Sequence, residues 1–170
     1  MQSFTRSQAD ALCESLSSPT ARTRFRAAKL LVEASRQSPG VLYSRFDFFV
    51  QLLDADNRIL RWNAVRILGN LAAADHENKL DALLDRLFAP IPGPEMITAA
   101  NAIAAAAAVA LAKPHLADRI ATEVLKVKRA RYATRVPQRC HRPRYPVPRP
   151  FLPVYPEPQA GARIRQSPTR

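Results

Sequence analysis

The residues best suited to chemistry are a histidine and a glutamate near the middle of the chain. His76-Glu77-x-x-Leu80 matches the beginning of the zinc-binding pattern His-Glu-x-x-His. That pattern needs a second imidazole one helical turn after the first, and Leu80 occupies its position. The sequence therefore predicts no metal here, and it assigns His76 and Glu77 to a loop or to the first turn of a helix.

Two aspartates, Asp81 and Asp85, stand one helical turn apart and would suit acid–base catalysis beside a suitable partner. No histidine or third acid follows at matching spacing, which favours two solvated acids near a helix start. His115 is expected in the first turn of its own helix. Cys140-His141 has no second pair to complete a tetrahedral site. The four glycines build no phosphate-binding loop. Because none of these patterns forms a complete catalytic or ligand-binding set, we predict no enzymatic activity, no metal and no cofactor.

The positive charge of the chain is concentrated at its carboxyl end. The formal net charge is +12. Residues 1–125 hold 14 basic and 13 acidic residues, whereas residues 126–170 hold 12 basic residues and one acid. Because the amino-terminal part is nearly neutral, its composition gives no reason to expect a nucleic-acid partner.

The cysteines and the apolar segments indicate a soluble cytoplasmic protein. Cys13 and Cys140 lie far apart and give no disulfide framework, which favours a reducing compartment. The first residues lack the apolar core of a signal peptide. The longest apolar run, residues 102–112, is too short to span a bilayer. We therefore expect no membrane association.

The element that organises the chain lies within residues 53–71. Its apolar residues have the spacing of one buried helical stripe: Leu60, Ala64, Ile67, Leu68 and Leu71. Asp56 or Asn57 precedes the stripe and can cap the first free amides. Gly69 lies inside the pattern and costs about 1 kcal/mol relative to alanine. We expect a neighbouring helix to cross closely at that glycine.

This helix belongs to an internal repeat. A shift of 37 residues aligns residues 24–31 with residues 61–68, so that basic, aromatic, alanine and aliphatic positions coincide. A weaker third copy begins near residue 99, at an offset of 35. A period of about 36 residues divided into two helices is typical of helical solenoids. Trp62 aligns with Phe25, which favours a repeated packing position over a binding aromatic.

Seven helices and no strand are predicted from these periods and from the proline breaks between them. Pro94 is expected to be the first residue of the alanine-rich helix. The predicted helices cover residues 7–16, 18–35, 41–53, 57–74, 78–88, 94–112 and 115–132.

The predicted organisation is a capping helix over residues 1–16, helical repeats over residues 17–132 and a tail over residues 133–170. The tail holds nine of the 15 prolines and eight arginines, which predicts a disordered segment that is partly polyproline II. It is interpreted as an unselected extension, a nucleic-acid arm or a proline-rich peptide ligand. A further hypothesis is that it is an out-of-frame reading of a gene that once encoded another helix.

The pattern Asp-x4-Arg-x2-Ala-x2-Ile-Leu-Gly-x-Leu over residues 56–71 resembles the first helix of a HEAT or armadillo repeat. The resemblance covers about residues 17–131 and is strongest in the second repeat. It implies an all-α fold, a short right-handed α-solenoid of about three helix pairs. Such stacks line a concave surface with their second helices and hold other macromolecules there.

On that resemblance, we expect a non-enzymatic scaffold or adaptor that mediates protein–protein interaction. The alternative is nucleic-acid binding through the basic tail or through a HEAT-like DNA-binding surface. The last helix pair has no successor to cover it, so self-association through this pair is also expected. The candidate partner-binding residues on the second helices are Asp47, Gln51, Asp85, Arg86, Arg119 and Glu123.

Overall fold

The computed structural model describes residues 4–132, and all regular elements in this range are helical. Its α-helices are α1 (Arg6–Ser15), α2 (Ala21–Gln37), α3 (Pro39–Tyr43), α4 (Phe46–Gln51), α5 (Arg58–Leu71), α6 (Leu84–Phe88), α7 (Met96–Ala112) and α8 (Ala117–Leu125). Short 3-10 turns follow or precede several of them. The prediction of an all-α fold is confirmed for the described residues, and the predicted tail lies outside them.

Side-chain caps set the start of two helices. Thr5 and Gln8 form a capping box at α1, in which Gln8 N donates to Thr5 Oγ1 at 3.3 Å and Thr5 N donates to Gln8 Oε1 at 2.9 Å. At α5 the side chain of Asn57 accepts hydrogen bonds from the amides of Ile59 and Leu60, at 3.0 and 3.4 Å. Of the two predicted caps, Asn57 is therefore the one used.

The core is organised around α5, which packs against α2 on one side and α7 on the other. Of its predicted stripe, four residues are buried and Leu60 is half-buried. A Cβ added at Gly69 would lie 2.8 Å from both the Cα and the Cβ of Ala105 on α7. This distance confirms the predicted close crossing and explains why the position has no side chain.

The second helices are shorter and more interrupted than predicted. The segment 41–53 was expected to be one helix, but α3 and α4 are separated at Ser44 and Arg45. The segment 78–88 begins as the 3-10 turn Lys79–Ala82, and Asn78 before it adopts the left-handed conformation at φ 54°. The segment 115–132 is divided among two 3-10 turns and α8. Pro94 is not the first helical residue, since α7 begins at Met96.

The described residues lie within one compact unit. None of their helices combines the length and the apolarity needed to cross a membrane.

Candidate functional site

The polar contacts between helices have a common spacing along the chain. Tyr43 Oη donates to Asp75, 32 residues later, and Trp62 Nε1 donates to Thr98, 36 residues later, at 2.7 and 2.8 Å. Other side-chain hydrogen bonds and ion pairs between helices join residues 32 to 38 positions apart. This spacing is close to the period of about 36 residues found in the sequence.

The most deeply buried of these contacts is an ion pair between Asp75 and Lys113. The Asp75 side chain is 0% exposed and the Lys113 side chain 5%. Lys113 Nζ lies 2.8 Å from Asp75 Oδ2 and 2.9 Å from Asp81 Oδ1, and it donates to Asn78 Oδ1 at 2.7 Å. These three partners use all three protons of the ammonium group.

The Asp75 carboxylate is also fully satisfied. Its Oδ1 accepts from Tyr43 Oη at 2.7 Å and from Lys79 N at 3.0 Å, and its Oδ2 accepts from Leu80 N at 3.0 Å. Burial opposes ionisation of this group, but the hydrogen bonds from Lys113, Tyr43 and the two amides outweigh it and lower the pKa of Asp75. The carboxylate therefore stays charged and caps the turn that follows it.

The shifts in pKa of the neighbouring groups keep Lys113 and Asp81 charged and Tyr43 neutral at neutral pH. Burial lowers the pKa of Lys113, but the hydrogen bonds to Asp75 and Asp81 outweigh this effect and raise it. The pKa of Asp81 is lowered, first by the hydrogen bond from Lys113 and, against burial, also by His115. Burial and the hydrogen bond to Asp75 raise the pKa of Tyr43 to about 12. At neutral pH the cluster thus contains two carboxylates, one ammonium group and a neutral phenol.

A cavity of about 300 Å³ lies beside this cluster. Within the part of the chain that the structure describes, no buried side-chain nitrogen or oxygen lacks a hydrogen-bond partner. The lysine and the two carboxylates are therefore paired with one another. The cluster joins the end of α7 to the turn before α6. The cavity is lined by Ala72, Ala73, Asp75, His76, Asn78, Ala112, Lys113, Pro114 and His115.

Four candidates for catalysis or metal binding named from the sequence lie in or near this cluster: His76, Glu77, Asp81 and His115. His76 and Glu77 are exposed in the turn before Lys79–Ala82, in agreement with the loop interpretation. His115 lies in a 3-10 turn, and its Nε2 is 3.2 Å from Asp81 Oδ2. The expectation that Asp81 is solvated was wrong, because it is half-buried and paired with Lys113. Over residues 4–132 no group of three or more metal-ligating side chains is placed to hold an ion.

Of the six predicted partner-binding residues, Asp85 and Arg119 form an ion pair, with Arg119 Nη2 at 2.8 Å from Asp85 Oδ1. Arg86 pairs with Asp54, and half-buried Glu123 pairs with Lys126 of the next turn. Asp47 and Gln51 are exposed on α4.

Exposed pairs between an aspartate and an arginine recur from one helix pair to the next. We call them the surface ladder. Each joins a carboxylate to an arginine 32 to 35 residues later, at or near a second helix. Half of these residues were not predicted from the sequence, although a spacing of 32 to 35 residues relates each acid to its arginine. The ladder consists of Asp10 with Arg45, Asp54 with Arg86, and Asp85 with Arg119.

Asp75 and Lys113 were not predicted from the sequence either. The available signal was their position, since each lies in the break between the first and second helix of consecutive pairs. Cys13 is a buried free thiol, and burial raises its pKa to about 11, which leaves it protonated and unreactive. Cys140 and His141 lie outside the described residues.

No protein-family model, curated protein or solved structure matches this chain. Within residues 4–132 the charged groups form a buried ion-pair cluster, centred on Asp75 and Lys113, and a ladder of paired charges at the surface.

Proposed function

We propose that residues 17–132 form a short right-handed α-solenoid of the HEAT or armadillo kind and act as a non-enzymatic protein-binding scaffold or adaptor. The observation that carries this proposal is the 32 to 38 residue spacing of the polar contacts between helices. Regular stacking of similar units produces such a spacing, because each unit contacts mainly its neighbours. In this arrangement α2, α5 and α7 are the first helices, and α3 with α4, α6 and α8 take the second positions.

The charge on the second helices supports a protein partner over a polyanion. Arg45, Arg86 and Arg119 each face a carboxylate of the preceding unit. A nucleic-acid phosphate would have to displace that carboxylate, whereas phosphate-binding surfaces present an excess of basic groups. A surface of alternating charge is instead suited to a protein with a complementary mixture of charges. The surface ladder and its neighbours Asp47 and Gln51 form the proposed binding face.

The second candidate function is nucleic-acid binding through residues 126–170. The observation that favours it is their 12 basic residues against one acid. Such a segment gives affinity without sequence preference, because phosphate contacts need only charge. The proposal also includes self-association at the last helix pair, whose outer side carries no covering helix among the described residues.

The adaptor proposal is tested by capture with the full chain and with a variant of the binding face. Asp47→Lys combined with Gln51→Lys changes two exposed residues of α4. We expect a protein captured by the unaltered chain to bind this variant at least about tenfold more weakly, because charge reversal at an interface is strongly unfavourable. The matched control is Glu14→Lys, an exposed charge reversal on α1. Equal loss with both variants, or with neither, would contradict the proposed face.

The nucleic-acid alternative is tested by titrating duplex DNA at several salt concentrations. The full chain is compared with a variant whose 12 basic residues after residue 125 are replaced by glutamine. Affinity that disappears with these residues belongs to the segment 126–170. Affinity that persists and falls with salt would place a nucleic-acid surface on the helices and would contradict the adaptor assignment.

A further inference from the structure

Another cavity, of about 360 Å³, is lined by residues of α5, α6 and α7 and of the turns beside them. Its volume is within the range of small-ligand pockets, about 300–1,000 Å³. Its apolar lining includes Leu53, Val65 and Pro90. The indole of Trp62 lines it as well and donates from its nitrogen to Thr98 Oγ1 at 2.8 Å. The cavity therefore has an apolar lining with an aromatic ring held in place.

The charged groups of this cavity are paired, with one exception. Glu95 Oε1 lies 3.2 Å from Arg58 Nη2, and Arg86 pairs with Asp54. Arg61 is half-buried in the cavity lining, and within residues 4–132 its side chain forms no hydrogen bond or ion pair. Since none of the buried side-chain nitrogens of residues 4–132 lacks a partner, the nitrogens of Arg61 are open to solvent. The cavity thus presents one accessible positive charge without a counter-charge.

The corresponding arginine of the first repeat has a different environment. At the repeat offset of 37, Arg61 aligns with Arg24. Arg24 Nη1 donates to the carbonyl oxygens of Ser18 and Pro19, at 2.7 and 2.9 Å. Its guanidinium carbon also lies 5.9 Å from the centre of the Phe25 ring. The first copy therefore holds its arginine by contacts within its own unit, whereas in the described part of the chain Arg61 makes no such contact.

The chemistry of the lining selects the ligand. A free guanidinium group is suited to a carboxylate, whose two oxygens match its planar fork. A phosphate dianion fits less well, because Asp54 and Glu95 line the same cavity and would repel its second charge. Thr98 Oγ1 already accepts from Trp62 and donates to Glu95, so the lining favours an apolar body over a polyhydroxylated one.

We propose that the cavity at Arg61 binds a monocarboxylate that carries an apolar group of amino-acid size. Arg61 holds the carboxylate, and the apolar group packs against Trp62 and Pro90. A free acid and the carboxyl end of a peptide share this chemistry. The inference does not rest on the adaptor function, although Asp54 and Arg86 of the surface ladder line the cavity as well.

Fluorescence of Trp62 reports on this site, because it is the single tryptophan of the chain. Titration of the full chain with N-acetyl-leucine should change the emission and saturate. N-acetyl-leucinamide, which has the same shape without the charge, should bind at least about tenfold more weakly, since the charge-assisted hydrogen bonds are lost. Arg61→Gln should weaken binding of N-acetyl-leucine by the same factor. The matched control is Arg66→Gln, an exposed arginine of the same helix, which should bind like the unaltered chain.

Two results would overturn the proposal: a titration that does not saturate, and equal binding of the acid and its amide. Circular dichroism checks that Arg61→Gln folds, and if it does not, the comparison of acid and amide on the unaltered chain still decides. The tail is a rival occupant through its single acidic side chain, Glu157. Binding of N-acetyl-leucine that occurs only in Glu157→Gln would assign the site to the tail and contradict the proposal.

The source of the carboxylate is decided with an acetylated Gly-Ser-Gly-Ser-Leu peptide. Affinity equal to or above that of N-acetyl-leucine supports a peptide end, and lower affinity supports a free acid. Asp47→Lys combined with Gln51→Lys should leave binding of N-acetyl-leucine unchanged, because neither residue lines the cavity. Failure of this site and failure of the adaptor function are therefore separable.

Discussion

Two acid–base pairs with nearly the same spacing lie in opposite environments. Asp75 and Lys113 are 38 residues apart with side chains 0% and 5% exposed, whereas Asp85 and Arg119 are 34 residues apart with side chains 77% and 45% exposed. Their ion-pair distances are equal, at 2.8 Å. The two pairs are alike in spacing and in distance and differ in burial, and we expect burial to set how much each pair contributes to stability.

The physical reason for the difference is solvation. A buried charge that loses its partner keeps its desolvation penalty without a compensating interaction, which destabilises the fold. An exposed charge that loses its partner is hydrated by water instead. The buried pair also holds a turn together, since Asp75 accepts two backbone amides of that turn. The four predictions that follow break or sharpen this comparison, beginning with the largest effect.

Lys113→Met should destabilise the protein by about 3–5 kcal/mol, because it leaves Asp75 charged and buried without its cation. Equilibrium urea unfolding measures the change. The control is Lys29→Met, an exposed lysine of α2, which should alter stability by less than about 0.5 kcal/mol. Adding Asp75→Asn to Lys113→Met should recover part of the loss, since the unpaired charge is then absent. A loss below about 1 kcal/mol would place the pair in the same class as the exposed ones.

Acid should weaken the protein through the same cluster. The pKa values of Asp75 and Asp81 are lowered from 3.8 in the folded state, so their contribution is present above pH 3.8 and is lost as pH falls through the folded values. The pKa of Lys113 is raised from 10.5, so its contribution is present below pH 10.5 and is lost as pH rises through the folded value. Thermal unfolding followed from pH 7 to pH 2 measures the acid limb.

The double variant with Lys113→Met and Asp75→Asn provides the control for this pH dependence. It should lose less stability on acidification than the unaltered chain, because one of the two linked carboxylates is gone. Identical acid limbs would show that the cluster does not govern acid sensitivity.

Tyr43→Phe should cost about 1.5–3 kcal/mol, the range for a hydrogen bond to a charged group. The phenol is one of four donors to Asp75, and its removal leaves the ion pair with Lys113 intact. The effect should therefore be smaller than that of Lys113→Met, and urea unfolding of both variants gives the comparison. A larger loss for Tyr43→Phe would mean that the phenol, and not the lysine, is the main partner of the carboxylate.

The sequence predicted the first helices well and the second helices poorly. The apolar stripe of α5, its Asn57 cap and the close crossing at Gly69 all follow from residue type and helical period. These features are local or repeat at a fixed spacing. The break between α3 and α4 was not predicted, because residues 41–53 hold no proline or glycine that would mark it.

The candidate site was harder to predict than the fold. Asp75 and Lys113 belong to no recognisable sequence motif. They meet because the break that follows α5 and the break that follows α7 lie next to each other in the fold. Asp81 was interpreted as solvated because sequence spacing relates it to Asp85, whereas its contacts come from residues over 30 positions later. Burial of polar groups depends on tertiary packing, and it cannot be predicted from the spacing of residues along one helix.

Arg119→Ala should change the unfolding free energy by less than about 1 kcal/mol, because its pair with Asp85 is exposed. A double-mutant cycle with Asp85→Ala isolates the pairwise energy, and repeating it at high salt should reduce that energy further. A coupling as large as that expected for Lys113 would show that exposure does not set the strength of these pairs. A weak coupling has a functional meaning as well. Pairs of the surface ladder that open at small cost would leave their arginines and carboxylates available to the proposed protein partner, whereas the charges of the buried cluster are paired within the fold.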